Sequence, residues 1–101
     1  GMKKHDKTLL VINTEGVLEK PLVRELRERG AQGWTVTEVH GASLEGVREG
    51  AWEADRTIEI KVICDEAVAD AIARHVMASY AAHYSVAMWF ARVQVLRPER
   101  Y

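Results

Sequence analysis

One hundred and one residues, 48% hydrophobic and 29% charged, make one globular domain with no room for a second core. The 14 basic and 15 acidic side chains are interspersed and leave a formal net charge of −1, which excludes the basic footprint of a nucleic-acid binder or of a protein held on an anionic membrane. A single cysteine, Cys64, excludes an intrachain disulfide and a cysteine-built metal centre, and no apolar run approaches the ~20 residues of a membrane span.

Gly1 ahead of Met2 reads as an expression-tag scar, and residues 1–7 as a polar lead-in without a signal peptide, so the cytoplasm is the expected compartment. Thr8–Ile12 (TLLVI) is a continuous apolar run, the mark of a strand buried on both faces. Asn13–Val17 turns the chain. A helix then starts near Lys20 or Pro21, with Leu22, Val23 and Leu26 inward. Arg24/Glu28 and Glu25/Arg29 are i,i+4 pairs on its outside, and Gly30 is its stop. A second strand, Trp34–His40, leads into a glycine-containing loop that runs to Trp52. Thr57–Ile63 alternates, with Ile58, Ile60 and Val62 on one face and Thr57, Glu59 and Lys61 on the other. Asp65 caps a second helix through about Tyr80, whose stripe of Val68, Ile72, Val76 and Tyr80 is widened by Ala69, Ala73 and Met77. The last strand is Ser85–Leu96, ended by Pro98. Its apolar phase changes between Phe90 and Val93, which predicts a bulge or two covered faces.

The order β-α-β-β-α-β with right-handed crossovers predicts an α+β, ferredoxin-like fold: a four-stranded antiparallel sheet with both helices on one face. The first and last strands are apolar on both faces, yet two helices cover only one. Self-association through the open side follows, unless the alternation is merely weak in a monomer.

The loop holds Gly41, Gly46 and Gly50 around Arg48. Glycines let backbone N–H groups approach an anion closely while a guanidinium forks onto it; the plainer alternative is a solvated loop arginine. His5, His40, His75 and His83 show no metal spacing and read as satisfied or exposed side chains, although His83-Tyr84 is a pair that could touch a ligand. An RNA-binding module of this topology needs aromatic residues on its central strands, and Thr8–Ile12 and Thr57–Ile63 have none. No nucleophile–base pairing marks an enzyme. Slow nucleotide hydrolysis, or another small ligand-binding activity on a ferredoxin-like trimer, is the runner-up function.

GWTVTEVHG, TIEIKVICD and ARVQVLRPER, in that order and spacing, resemble the PII signal-transduction superfamily over Thr8 to Arg97. The resemblance implies a homotrimer with nucleotide sites in the clefts between subunits. It also implies a long T-loop, residues 41–55 here, that changes order with its ligand and docks on a membrane transporter or an enzyme. Between Gly41 and Ala54 there is no tyrosine for uridylylation, Ala42–Glu45 lacks the family's ligand-holding glutamine, and the phosphate-gripping loop before the last strand is reduced to Ala81–His83. These departures point away from 2-oxoglutarate control and tight ATP binding. They point toward the PII-like branch associated with carboxysomes and bicarbonate transporters, whose Gly-x-Arg-x-Gly-type loop matches Gly46-Val47-Arg48-Glu49-Gly50.

That branch implies a non-enzymatic sensor of adenine nucleotide, ADP or AMP first and ATP or cyclic AMP otherwise, with bicarbonate as co-ligand and no metal. Its partner would be a bicarbonate-type transporter or a carbon-metabolism enzyme, with recruitment to the inner membrane but no direct insertion. On this resemblance the nucleotide contacts are Thr35, Val36, Thr37, Gly41, Gly46, Arg48, Gly50, Arg97 and Arg100, with Met88, Trp89 and Phe90 as an adenine wall whose backbone groups read the base edge and one of whose side chains packs on its face. Leu44, Glu45, Val47, Glu49 and Trp52 would face the partner. Plainer readings stand beside these: β-propensity for the threonines, core packing for the aromatics, and a basic tail for Arg97 and Arg100.

Overall fold

A computed structural model describes residues 1–40, 42–43, 46–47 and 56–101. Strand β1 is His5–Glu15, followed by a single 3-10 turn at Gly16–Leu18 and helix α1, Glu19–Glu28. Strand β2 is Thr35–Val39. Two short strands, β3 (Ala42–Ser43) and β4 (Gly46–Val47), pair with each other, Ala42 opposite Val47 and Ser43 opposite Gly46. Strand β5 (Thr57–Cys64), helix α2 (Glu66–Ser79), strand β6 (Val86–Val95) and a 3-10 turn at Pro98–Arg100 complete the chain.

The sheet order is β2-β5-β1-β6 with every pair antiparallel, so the ferredoxin-like arrangement is as expected. β1 starts three residues before the apolar run and continues through Asn13–Glu15, where the sequence predicted a turn. The reason is its central place. β5 pairs with it from Thr8↔Cys64 to Glu15↔Thr57, and β6 from His5↔Val95 to Thr14↔Val86. Ladders on both sides satisfy the backbone of polar residues as well as apolar ones. The β6 register runs unbroken from Val86 to Val95, so the predicted bulge is absent. The phase change instead reflects a strand with apolar side chains on both faces.

Between sheet and helices lies one core. Leu10 and Ile12 of β1 and Ile58, Ile60, Val62 and Cys64 of β5 pack with Leu22 and Leu26 of α1 and Ala69, Ile72 and Val76 of α2. Val36, Val68, Ala73, Tyr80 and Met88 pack at its rim. Met77 does not widen the α2 stripe: it is 57% exposed. Gly30 ends α1 as expected, at φ +107. Ala31 N–H donates to Leu26 O (3.0 Å) and Gly30 N–H to Arg27 O (3.1 Å), a Schellman pair that satisfies the last carbonyls. A Cβ on Gly30 would also meet Val68 Cγ2 at 3.4 Å. Gly30→Ala should therefore lower stability by about 1 kcal/mol or somewhat more, read as a lower urea midpoint at unchanged slope.

Candidate functional site

Among the described residues, nothing covers the side of the sheet away from the helices. Alternation along each strand places on it the row Thr35–Lys61–Val11–Trp89 and, beside it, the row Thr37–Glu59–Asn13–Ala87. Leu9, Ile63 and Ala91 form the next row, and Val93 stands opposite Lys7. Neighbouring side chains bury Val11, whereas Trp89 remains 46% exposed. Thr35, Thr37 and Trp89 thus share this face. Val36 and Met88 point the other way, into the helix-side packing.

Phe90 also lies on the helix side, so of Met88, Trp89 and Phe90 one side chain, Trp89, is on the open face. A regular strand sends successive side chains to opposite faces. Half-exposed, Phe90 opens into a groove of about 450 Å³ with Asp65, Glu66 and Asp70 from the start of α2 and Arg92 from its own strand.

The two ends of the sheet carry different groups. At one end are Val39, Thr57, Glu15 and Val86, with the stems of the 40–55 segment. At the other are His5, Cys64 and Val95, beyond which come Arg97 and Arg100. Arg97 pairs only loosely with Glu99, Nε–Oε1 3.6 Å with both side chains exposed. A strand the length of β6 spans about 30 Å at ~3.3 Å per residue, longer than an adenine nucleotide. Within one protomer, Arg97 and the loop stems are therefore too far apart to hold one nucleotide between them. Gly41, Leu44, Glu45, Arg48, Glu49, Gly50 and Trp52 lie outside the described residues, and Gly46 and Val47 are described only as the backbone of β4.

At the loop end, polar contacts tie the described segments to one another. Arg56 Nη1 bonds Glu38 Oε1 at 3.0 Å and stands 3.9 Å from Glu19 Oε1, while its Nη2 donates to Gly16 O at 3.4 Å. The turn before β6 is pinned at both ends. At Ser85, Thr14 Oγ1 donates to the carbonyl and Glu15 Oε2 accepts the N–H, each at 2.7 Å. At Tyr80 the hydroxyl donates to the Glu25 carboxylate, at 2.6 and 2.8 Å, and the ring meets Tyr84 edge-on. Arg29 Nη2 lies 2.9 Å from His75 Nδ1 and can only donate, so His75 Nε2 carries the proton it gives to Glu25.

The Glu25 network was not anticipated, because a Glu/Arg i,i+4 pair normally marks a wet face. Glu25 nevertheless follows Leu22 by three residues and precedes Leu26, and His75 follows Ile72 by three, so both inward stripes pointed at it. Burial pushes the Glu25 carboxyl up, but hydrogen bonds from Tyr80 and His75 and the nearby positive charge outweigh this and hold it below its ordinary value. Burial, then the bonded carboxylate, pushes the Tyr80 phenol up to about 12. Burial and the Asp65 charge push the Cys64 thiol up to about 11, so it is not an activated nucleophile. Among the described residues, no group of three or more His, Cys, Asp or Glu side chains is arranged to hold a metal, and no helix is long and apolar enough to cross a membrane.

The family model for nitrogen regulatory protein P-II matches residues 7–100. The chain belongs to the P-II family. A chain from Thermus thermophilus described as a PII-like signalling protein is 35% identical and superposes with a TM-score of 0.85, with 99% of each chain covered. CPII from Thiomonas intermedia K12, bound to ADP and bicarbonate, is 22% identical with a TM-score of 0.86, covering 99% of this chain and 98% of its own. A second CPII structure, bound to ADP, AMP and bicarbonate, is 24% identical at a TM-score of 0.85, with 99% and 97% covered. At those identities the likeness to CPII is one of fold. No curated protein matches the sequence.

Proposed function

We propose that this P-II protein is a homotrimeric sensor of adenine nucleotide, ADP or AMP, with bicarbonate as a co-ligand. Its T-loop would carry the signal to a transporter or enzyme of inorganic-carbon metabolism. The observation that carries the reading is the division of groups within the protomer. Thr35, Thr37 and Trp89 share an uncovered face, while Arg97 stands at the far end of the sheet from the loop stems. A nucleotide cleft that uses both ends is complete only where two protomers meet. The ADP-, AMP- and bicarbonate-bound CPII structures, of the same fold over nearly the whole chain, supply the ligand class.

In this mechanism the phosphates face Arg48 of one protomer and Arg97 of the next, and the backbone N–H groups of Gly46 and Gly50 add neutral donors. Ordering a loop costs roughly 1–2 kcal/mol per residue fixed. Charge-assisted hydrogen bonds return ~1.5–3 kcal/mol each. A few such bonds balance a few ordered residues, so nucleotide occupancy decides which loop surface a partner meets. Bicarbonate, a small planar anion, would compete for or complete the same donors.

Calorimetric titration tests the reading. ADP or AMP binds the wild type, and Arg48→Ala weakens that binding by about tenfold or more while light scattering still finds three chains. Unchanged affinity in the variant removes Arg48 from the site. Recovery of intact ADP after incubation separates a sensor from a hydrolase.

A further inference from the structure

Three consecutive residues, the last two of β1 and the glycine that follows, hold two parts of the loop end. Thr14, 2% exposed, donates to the Ser85 carbonyl, and Glu15 accepts the Ser85 N–H. Gly16 N–H donates to Arg56 O at 2.8 Å, and its own carbonyl accepts from the Arg56 guanidinium. Ser85 closes the turn that leads into β6, and Arg56 is the residue from which β5 is entered. Through Glu38, the guanidinium also holds the far end of β2. Glycine is needed at position 16 for space. A Cβ there would fall 2.9 Å from Arg56 Cβ, 3.0 Å from Nε and 3.1 Å from Cζ, and Arg56 Cβ cannot swing aside without its backbone.

We propose that the Thr14–Gly16 corner is the positioning element of the nucleotide site, setting the separation between the loop stems at Glu38 and Arg56 and the turn Tyr80–Ser85. The inference rests on the nucleotide reading above for its functional half. Its physical half is independent. β1 is an interior strand, laddered to β6 as far as Thr14 and to β5 as far as Glu15, and Gly16 is bonded to Arg56 at both its N–H and its carbonyl, so the corner has little freedom to absorb a shift. A displacement forced at Gly16 is passed to Ser85 through two residues of strand, and one forced at Glu15 is passed to Arg56 through one. Neither contact is a catalytic or ligand contact; both act by holding backbone that faces the cleft.

The test combines amide hydrogen exchange with ADP calorimetry on the full chain as wild type, Glu15→Ala, Glu15→Gln and Gly16→Ala. The expected result is a cross-effect. Glu15→Ala speeds exchange at Ser85 and also at Gly16, and Gly16→Ala, which strikes Arg56 first, also speeds Ser85. The core amides of Leu10 and Ile12 stay protected, which a general loss of stability would not allow. Both alanine variants weaken ADP by about tenfold, and Glu15→Gln, which keeps an oxygen acceptor, recovers most of it. Variants that each loosen only their own contact, or a cross-effect with ADP affinity unchanged, overturn the inference. A wild type that binds no ADP defeats the nucleotide reading instead, and the cross-effect then still decides whether the corner couples the two segments.

Discussion

Trp89→Glu is expected to convert a particle of three chains into one of single chains, seen as a threefold fall in mass by light scattering. In the isolated protomer Trp89 is 46% exposed on a face shared with Leu9, Val11, Ile63, Ala91 and Val93. An apolar sheet face of that kind is too large to leave in water, and the other two protomers of the proposed trimer are its cover. Fully burying a side chain of this class is worth ~1.5–3 kcal/mol, and an unpaired carboxylate in its place adds a desolvation cost of similar or larger size. That loss is repeated at each of the three subunit contacts. The protomer itself should keep its helical signal, because position 89 faces away from the core of Leu10, Ile12 and the two helices. Met77→Glu is the control: Met77 is more exposed than Trp89 and lies on α2, so its variant should leave the mass at three chains. If nucleotide binds between protomers, Trp89→Glu also abolishes ADP binding and Met77→Glu does not. Three-chain particles of Trp89→Glu would place the oligomer contact elsewhere.

What could be read from the chain beforehand depended on how local the signal was. The alternation of Thr57–Ile63 and the Gly30 stop are local facts, and both strand β5 and the end of α1 follow them. The resemblance carried by GWTVTEVHG and TIEIKVICD held over nearly the whole chain, because those stretches are central or loop-flanking strands whose neighbours constrain them. Polar residues misled in two places. Asn13–Glu15 looked like a turn, yet the β5 ladder through Glu15 and the β6 ladder through Thr14 keep them extended, and nothing in the local composition announces a partner forty or more residues away. Glu25 looked like half of a surface ion pair, yet His75 and Tyr80, about fifty residues on, draw it inward. Arg56, Glu38 and Gly16 are a third case: each is unremarkable alone, and only the fold brings them together. Of the adenine wall read at Met88, Trp89 and Phe90, the two-residue period leaves one side chain, Trp89, on the open face and turns the other two toward the helices.

The Glu25 network makes the second large effect. Glu25→Ala should lower stability by ~3 kcal/mol, because it leaves the Tyr80 hydroxyl and the His75 Nε2–H without the charged acceptor they share. For a chain of this size that is a fall in Tm of roughly 12–24 °C. Glu25→Gln keeps one oxygen acceptor and the packing volume, so its loss should be nearer ~1 kcal/mol. Tyr80→Phe removes a single donor and should fall in the same range, while also loosening the turn that Tyr80 and Tyr84 brace. The pH dependence separates the charge from the packing. The folded Glu25 pKa is depressed, so its stabilisation is present above the ordinary carboxylate value of 4.5 and is lost as pH falls through the lower folded value. The folded Tyr80 pKa is raised, so stability is retained below the ordinary 10.0 and declines as pH climbs toward about 12. Urea midpoints measured across this range should fall on both the acid and the alkaline side in the wild type. In Glu25→Ala the Glu25 share of the acid fall disappears, and the alkaline fall shrinks because the carboxylate that resists phenolate formation is gone. Equal pH slopes in wild type and variant would mean that Glu25 contributes volume to the helix contact and not charge.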